Sequence, residues 1–399
     1  MRIANLFYAA VIGAGLATLP IALTPPQSQS EAKEDAPRTE RSESETPKTE
    51  TPKKAPVVPK PEPIRHRLND DHLHLVDFLQ RTDGIKALVA AMDRSGVDDV
   101  VISGMPVVKL WSQHERHRPD YYLDDDARCY WYSATDVLVA REVLLLSVEQ
   151  QKHFHPIICG FNGADRNAVD HIKRMIHWYP GLWQGIGEVM TRHDDLTALT
   201  YGDVARANNI ALNRVFKFAG EHDLPVWIHS NIGTASKREP QHLFEMELAV
   251  RAHPRTRFIW CHAGISRRIE IPALTKDLAQ MLDKYPNLYI DVSWVVLEQN
   301  LLKDGKPDPS WVKLVEAFPD RFMIGSDKVG RFANYYQEMQ KYYKFLDALK
   351  PITAEKLAKL NMLSVLPKQR AKLTKEEIDS LNSMEVDEPE SVTPKAKAE

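Results

Sequence analysis

The chain has 399 residues, of which 43% are hydrophobic and 27% are charged, and its formal net charge is −3 at pH 7. These values are ordinary for a globular protein, so disorder is expected only in particular segments. The near-neutral charge, together with the lack of any Lys/Arg cluster interleaved with aromatic residues, argues against a nucleic-acid partner.

The amino-terminal sequence predicts export. Arg2 is followed by an uncharged, mostly apolar stretch from Leu6 to Leu23, which is typical of a secretory signal or a membrane anchor. We therefore assign residues 1–24 to a signal peptide or anchor and expect a periplasmic, secreted or membrane-anchored protein. Cleavage and retention both stay open, because small-residue pairs that could form a cleavage site are weak.

Two further segments have the composition of disordered chain. Residues 25–63 are mainly Pro, Ser, Thr, Glu and Lys and bury too little apolar surface to fold, so they predict a linker. Residues 368–399 predict a charged disordered tail, and the folded domain is expected to span residues 64–367. The cysteines are widely spaced and specify neither a disulfide framework nor a thiolate zinc site: Cys129, Cys159 and Cys261.

Short apolar runs alternate with helical patterns along the predicted domain, which indicates repeated βα units and a parallel sheet. After a weak first strand near Leu68, the apolar runs predict strands at 100–103, 156–161, 182–189, 225–230, 257–262, 288–293 and 321–327. Eight such units predict an α/β fold, a (β/α)8 barrel of the TIM type.

The interval between the second and third predicted strands is longer than one crossover helix requires. It contains Trp111 and the aromatic run at 130–132. Long βα loops of barrels commonly carry function, so we expect an insertion that extends over the active-site face.

Polar residues recur at the carboxyl ends of the predicted strands, the face where barrel enzymes build their active sites. The intervals are 41, 33, 29 and 36 residues, about one βα unit each, in the series Glu188, His229, His262, Asp291 and Asp327. Charged residues at the ends of buried strands require a metal or a polar partner.

The segment 70–74 reads DDHLH, with two histidines one residue apart. On a strand, His72 and His74 point to the same face and can bind one cation. An H-x-H pair is a weak signal by itself. It gains weight from His229, His262 and Asp327, which follow predicted strands five, six and eight.

This order of H-x-H, His, His and Asp resembles the amidohydrolase superfamily, particularly its amidohydrolase-2 branch. The resemblance covers residues 65 to about 366 and includes a closing helix with Asn361 in LAKLNMLSVL. It implies one or two divalent ions, zinc in first place, and an eighth-strand aspartate that helps to activate water. The ligand set that we assign is His72, His74, Glu188, His229, His262 and Asp327.

The chain departs from the family pattern at two points. The polar sequence IRHRLNDD stands where the family usually has an apolar first strand. No lysine ends the fourth strand; Glu188 in GIGE stands there and resembles the fourth-strand glutamate of some binuclear members, TatD-like enzymes among them. Glu188 is either a bridging or second-site ligand, or a base or substrate contact, so the number of metals stays open.

Several roles follow for residues near the predicted site. Asp327 is expected to accept the proton of the activated water and pass it to the leaving group, while His262 either completes the coordination or polarises the substrate's carbonyl oxygen. Cys261 is expected to face the helices, because strand alternation turns it away from its neighbour. The remaining histidines that we expect to be structural or superficial are His171, His177, His193, His222, His242 and His253.

Cationic residues follow two of the site strands and predict an anionic substrate. Arg267 and Arg268 come after strand six, and Lys328 and Arg331 come after strand eight. Solvated loop charges are the alternative explanation for each of them.

Hydrolysis of an amide, lactone or other ester-like bond in a small substrate is the first functional expectation. The alternative is non-oxidative decarboxylation of an aromatic carboxylic acid, because such decarboxylases use the same barrel and nearly the same ligands. A catalytically silent, surface-tethered binding protein is the third. The pattern is also compatible with an oligomer, and it does not specify the substrate.

Overall fold

The computed structural model describes residues 63–112, 117–119 and 126–383. The predicted signal or anchor segment lies outside the described residues, as does the predicted linker except for its last residue. Among the residues described, no helix has both the length and the apolar composition that crossing a bilayer requires.

A parallel barrel forms the centre of the fold, with neighbouring strands adjacent in sequence. Its strands are β1 Leu68–His74, β2 Val97–Ser103, β3 Phe154–Ile158, β4 Gly185–Met190, β5 Val226–His229, β6 Phe258–Trp260, β7 Leu288–Asp291, β8 Phe322–Met323 and β9 Lys328–Val329. The predicted (β/α)8 fold is confirmed. The polar first strand is fully buried despite its composition.

The barrel closes through the segment that contains β8 and β9. β8 pairs with β7, whereas β9 pairs with β1 in parallel register. Between them, the Asp71 amide donates to the Ile324 carbonyl at 3.0 Å and the Asp327 amide donates to the His72 carbonyl at 2.8 Å. The last strand is therefore interrupted, and the interruption carries Asp327 into the barrel mouth.

Helices surround the barrel, and most of them bury an apolar face against it. They are α1 Ile85–Ser95, α2 Thr135–Leu144, α3 Val148–Gln151, α4 Ala168–Trp178, α5 Ile210–Glu221, α6 Leu243–Ala252, α7 Leu274–Lys284, α8 Pro309–Ala317, α9 Tyr335–Lys341, α10 Tyr343–Leu346, α11 Pro351–Glu355, α12 Asn361–Val365 and α13 Lys375–Asn382. Short 3-10 segments cover Thr197–Leu199 and Cys261–Gly264, and π-helical turns cover Leu297–Leu301 and Lys356–Leu360.

The lower half of the barrel interior is mainly apolar, and the buried carboxylate of Asp71 lies at its border. Five strands each contribute one inward-facing residue to this lower layer: Val101, Ile157, Trp227, Ile259 and Met323. Met362 and Val365 of α12 pack into the same cluster, and the buried Asn361 amide donates to the carbonyls of Pro319 and Phe322 at 2.8 Å each. The predicted closing helix thus seals the barrel at the amino-terminal ends of the strands.

The predicted insertion lies between β2 and β3. An antiparallel pair formed by Val107–Lys109 and Cys129–Trp131 begins it, and α2 and α3 complete it. The Lys109 amide donates to the Phe78 carbonyl at 3.0 Å, so the pair lies beside the end of β1. A second antiparallel pair, Leu302–Lys303 with Lys306–Pro307, follows β7.

The prediction that residues 368–399 form a disordered tail is wrong for residues 368–383. Ala371 exchanges backbone hydrogen bonds with Gly181 and Trp183, at 3.0 and 2.8 Å. Helix α13 follows, capped by the Thr374 hydroxyl and Glu377 in a reciprocal capping box. Backbone pairing and a capped helix supply the order that the composition of this segment does not suggest. Residues 384–399 lie outside the described residues.

Candidate metal centre

The strand ends bring five predicted ligands together. The Nε2 atoms of His72 and His74 lie 3.3 Å apart, and His74 Nε2 lies 3.3 Å from Glu188 Oε2 and 3.4 Å from Asp327 Oδ1. From the other side, His262 Nε2 lies 3.4 Å from Glu188 Oε1 and 3.8 Å from Asp327 Oδ2. Three imidazole nitrogens and two carboxylates therefore lie in one cluster of close contacts.

The other ring nitrogen of each of these histidines has a partner that fixes the ring. His72 Nδ1 lies 2.8 Å from Asp291 Oδ2, His74 Nδ1 lies 2.7 Å from the Gly104 carbonyl, and His262 Nδ1 lies 2.8 Å from Ser293 Oγ. An oxygen that accepts a hydrogen bond from Nδ1–H keeps the proton on Nδ1 and leaves the Nε2 lone pair free for a cation. The three rings are thus oriented as metal ligands are.

The electrostatics of the cluster keep its carboxylates ionised. Burial would raise the pKa of Glu188, but the charge of His72 and hydrogen bonds to His229 and His262 hold it well below its usual range. Burial acts in the same direction on Asp327, and the charge of His262 with the hydrogen bond to His74 lowers its pKa instead. For His74, burial opposes protonation, yet Asp327 and Glu188 raise its pKa to about 9.

His229 is placed differently from the other predicted ligands. Its Nδ1 lies 3.0 Å from Glu188 Oε1, and its Nε2 lies 3.0 Å from Asn231 Oδ1. Two sets of three ligand atoms that include Glu188 or Asp327 lie within 4.8 Å of one another. One set is His72, His74 and Asp327, and the other is His72, Glu188 and His262. In this structure His229 contacts the cluster through Glu188.

Asp291 is a central residue of the site to which the strand-end pattern assigned no role. It is fully buried, and besides His72 it accepts hydrogen bonds from the Ser293 amide at 2.6 Å and the Ser293 hydroxyl at 2.7 Å. Because Ser293 also contacts His262, one carboxylate and one hydroxyl fix two of the histidines. Its regular position in the strand-end series was the signal that could have identified it.

The expectation that Cys261 faces the helices is wrong. β6 ends at Trp260, and the chain then turns through positive φ at His262 and Ala263, 54° and 52°. Cys261 lies two residues after Ile259 and on the same face, so alternation holds through Cys261, and His262 reaches the interior only because the turn begins there. Its side chain packs with the lower layer inside the barrel, where burial raises the pKa of the thiol.

A cavity of about 480 Å³ contains the metal-facing groups His74, Glu188, His262 and Asp327 in its wall. Apolar side chains line it further out: Phe78, Met105, Met190, Leu196, Trp294 and Leu297. Size and lining match a site for a small molecule.

His193, expected to be structural or superficial, also lines this cavity. It follows the end of β4 by three residues, and its ring stacks on His229 with centroids 4.3 Å apart. Burial and the charge of His229 hold the pKa of His193 well below its usual value. The sequence pattern did not indicate His193 because it lies beyond the predicted strand end at residue 189.

The sequence model of the Amidohydrolase family matches residues 151–360, which is more than half of the chain. The chain belongs to this family. The match begins just before β3 and includes Glu188, His229, His262 and Asp327. The predicted superfamily resemblance is confirmed.

Solved structures with a similar fold have low sequence identity to this amidohydrolase. An amidohydrolase from Burkholderia multivorans with bound zinc is 14% identical with a TM-score of 0.48, and the match covers 76% of this chain and 100% of that chain. A dihydroorotase from Campylobacter jejuni is 16% identical with a TM-score of 0.44, covering 75% and 82%. A 2,6-dihydroxybenzoate decarboxylase from Rhizobium is 11% identical with a TM-score of 0.46, covering 75% and 98%. No curated protein matches the chain.

Two of the three predicted substrate-binding arginines form salt bridges with the same buried carboxylate. Arg267 Nε and Arg268 Nη2 lie 2.8 and 2.6 Å from the carboxylate of Asp195, which is buried. Neither arginine belongs to the described residues that line the cavity. A buried carboxylate requires cationic partners, which accounts for both salt bridges, and contact of these two arginines with substrate stays a prediction.

Arg331 does line the cavity, with its guanidinium 2.9 Å from Asp83 and 3.7 Å from Asp77. Lys328 lines the same wall and is mostly buried, with its ammonium 3.7 Å from Glu338. Both cations follow Asp327 closely in the chain and line the cavity that contains it.

The residues present fit a divalent cation. Ligand atoms about 2.1 Å from a tetrahedrally coordinated ion lie about 3.4 Å from one another, the spacing found in this cluster. The Nε2 atoms of two buried imidazoles face each other at 3.3 Å beside two carboxylates, so their lone pairs can bind the same cation. A mixed nitrogen and oxygen set suits zinc and similar ions.

Proposed function

We propose that this amidohydrolase is a metal-dependent hydrolase that cleaves an amide, lactone or other ester-like bond of a small, anionic substrate. The observation that carries the proposal is the convergence of three oriented imidazoles and two ionised carboxylates at the wall of a small-molecule cavity. We propose His72, His74, His262, Glu188 and Asp327 as the residues that hold the metal, with His229 supporting Glu188 or binding a second ion.

A divalent cation held there would act as a Lewis acid, acidifying a water molecule toward a pKa of about 7 and polarising the scissile carbonyl. The chain supplies the proton acceptor, for which we propose Asp327. Its carboxylate is ionised, 13% of its side chain is exposed toward the cavity, and its backbone is fixed by the His72 carbonyl. Asp327 can thus accept a proton on the cavity side and return it to the leaving group.

The cations of the cavity wall support an anionic substrate. Arg331 is already paired with Asp83, so we propose Lys328 as the main contact for a substrate carboxylate and Arg331 as a weaker one. Lys328→Met should raise KM for an N-acyl amino acid and leave KM for the matching N-acyl amide unchanged. Equal KM changes for both compounds would contradict this part of the proposal.

The test of the function combines metal analysis with a substrate screen on the full chain. We expect one or two equivalents of transition metal, and hydrolysis of at least one member of a panel of N-acyl amino acids, γ-lactones, aryl esters and hydroxybenzoates with added zinc. Release of carbon dioxide without hydrolysis would instead favour a decarboxylase. Metal content below about a tenth of an equivalent, with none gained on incubation, would favour a silent binding protein.

Localisation is proposed on the sequence alone. We propose that the segment from Leu6 to Leu23 exports the protein. Cell fractionation with the native amino terminus should recover it outside the cytosol, and mass spectrometry of the mature start distinguishes a cleaved signal from an anchor. Recovery only in the cytosol would contradict export.

A further inference from the structure

We propose that His193 is a catalytic residue that donates a hydrogen bond from Nε2 to the substrate oxygen that gains negative charge during hydrolysis. The inference rests on the proposed function for the site and adds a residue to it.

His193 lies in the wall of the cavity that contains the proposed metal ligands. Only 5% of the residue is exposed, and it lines the same cavity as Glu188 and His262. Its ring is stacked on His229 at 4.3 Å on one side and lies 6.1 Å from Trp294, with an interplanar angle of 30°. Rings packed in this way hold the imidazole in one orientation.

The hydrogen bond at the other nitrogen determines which tautomer is present. The backbone amide of Asp195 donates to His193 Nδ1 at 3.1 Å. A nitrogen that accepts a hydrogen bond carries no proton, so the single proton of the neutral ring lies on Nε2. Asp194 Oδ1 is 4.0 Å from the same Nδ1, too far to accept a proton from it. His193 therefore presents an N–H donor at Nε2.

Hydrogen bonds and salt bridges hold the loop around His193 in place. The His193 amide donates to the Thr197 hydroxyl at 2.9 Å, and Arg267 and Arg268 both bind the carboxylate of Asp195. The residue whose amide sets the His193 tautomer is thus held by two salt bridges. Arg192 adds a two-pronged pair with the buried Glu245, at 2.7 Å for each bond. A preorganised donor of this kind loses little by reorganising during reaction.

Two substitutions distinguish a His193 that only packs against His229 from a His193 that donates a hydrogen bond. Asparagine keeps a polar atom near the Nδ1 position but does not reach the Nε2 position. Glutamine reaches the Nε2 position with an amide N–H. Packing alone would not favour glutamine over asparagine, whereas donation from Nε2 would.

The kinetic test uses zinc-loaded full-length protein and 4-nitrophenyl acetate as the probe. Removal of one oxyanion donor typically lowers kcat about 10²- to 10³-fold. The kcat of His193→Asn should therefore fall by this factor, and its metal content should not change. His193→Gln should recover about tenfold or more of the loss. His177→Asn, on α4, is the matched control and should match the wild type. Equal activity of the asparagine variant and the wild type, or no advantage of glutamine, would overturn the proposal.

A second measurement does not depend on turnover. In ¹⁵N-histidine spectra of the zinc-loaded protein, the resonances that disappear in His193→Gln should be those of a neutral Nε2–H tautomer. Acetohydroxamate, an oxygen acceptor that binds zinc, should shift the Nε2 signal. An Nδ1–H tautomer, or a signal that acetohydroxamate leaves unchanged, would overturn the donor role. If the wild type binds zinc and hydrolyses nothing, the proposed hydrolase function fails while these spectra still decide the role of His193.

Discussion

The two halves of the barrel interior are built from the same strands but contain opposite chemistry. On β5, Trp227 points into the apolar lower layer, and two residues later His229 points into the metal centre. On the last strand, Met323 belongs to the lower layer and Asp327 to the upper one. A shift of a few residues along one strand thus separates hydrocarbon packing from buried charge.

This difference assigns stability and chemistry to different ends of one core. The upper layer concentrates ionised carboxylates and imidazoles, whose burial costs free energy unless a cation or hydrogen bonds offset it. The lower layer buries large apolar side chains and is sealed by α12. We therefore expect substitutions in the upper layer to remove function and spare the fold, and substitutions in the lower layer to do the opposite.

The largest effect should follow removal of both β1 histidines. His72→Ala together with His74→Ala deletes two of the five converging donors, so metal content should fall below about a tenth of an equivalent and activity to the uncatalysed background. The far-UV circular dichroism spectrum should stay that of the wild type. His177→Ala is the control and should retain both metal and activity. Full metal occupancy in the double variant would show that β1 does not bind the metal.

Asp327→Asn should separate metal binding from proton transfer within the upper layer. The amide oxygen can still coordinate a cation, but asparagine cannot accept a proton. Loss of a positioned base typically lowers kcat about 10²- to 10⁴-fold, so most of the turnover should disappear while elemental analysis finds much of the metal. Asp283→Asn, an exposed acidic position on α7, is the control. Turnover within about threefold of the wild type would transfer the role of base to Glu188 or His262.

Much of the upper layer is predictable from the sequence because parallel strands repeat. Each apolar run ends at the same face of the barrel, so the spacing alone places Glu188, His262 and Asp327 together. The H-x-H pair needs only the two-residue period of a strand. The interrupted last strand, by contrast, depends on the hydrogen bonds that the Ile324 carbonyl accepts from β1 and the Asp327 amide donates to β1, which a run of apolar residues does not specify.

The wrong predictions share a cause, which is that loops and turns do not follow a period. Cys261 shares the interior face with Ile259, and the left-handed turn at His262 and Ala263 brings the next side chain to the interior as well, which strand alternation does not predict. The salt bridge between Arg267 and Asp195 is likewise not predictable from the sequence, because the two residues lie 72 positions apart in the chain. The carboxyl-terminal helix had a readable signal, the capping box from Thr374 to Glu377, which overall composition concealed.

Gly325 shows how closely the two layers are joined. A Cβ atom at this position would lie 2.6 Å from Asp71 Oδ1 and 2.8 Å from His72 Cβ. Only a residue without a side chain lets the last strand approach β1 this closely, and the approach carries Asp327 next to the β1 histidines. The geometry of the metal centre therefore depends on backbone packing below it.

The lower layer can be tested with one tryptophan. Trp227→Ala should lower the free energy of unfolding by about 3–5 kcal/mol, because it removes a fully buried ring and leaves a cavity that neighbouring strands cannot fill. Chemical denaturation measures the change. Trp178→Ala is the matched control, since that ring is 57% exposed on α4, and it should change stability by less than about 0.5 kcal/mol. Equal effects of the two substitutions would mean that the lower layer does not carry the stability assigned to it.

The smallest effect concerns the salt bridge that ties α13 to the amino-terminal side of the barrel. Glu377 Oε1 lies 2.7 Å from His222 Nε2. Burial would raise the pKa of Glu377, but the Thr374 amide and the charge of His222 lower it. A carboxyl group with a lowered folded-state pKa adds stability above its unfolded pKa of about 4.3, and this stability is lost as the pH falls through the lower folded value.

Glu377→Gln should therefore lower the free energy of unfolding by only about 0.2–1 kcal/mol at pH 7, because solvent screens a partly exposed pair. Because the imidazole partner attracts the carboxylate only when it is protonated, the difference from the wild type should be at least as large at pH 5 as at pH 7, and it should shrink below about pH 4.3. Glu376→Gln is the matched control, because it removes a charge from the same first turn of α13 without removing a salt bridge and so reports the helix-dipole contribution alone. Metal content and turnover should not change in either variant. A change in turnover on Glu377→Gln would show that the two ends of the barrel are coupled, and the division between stability and chemistry would have to be abandoned.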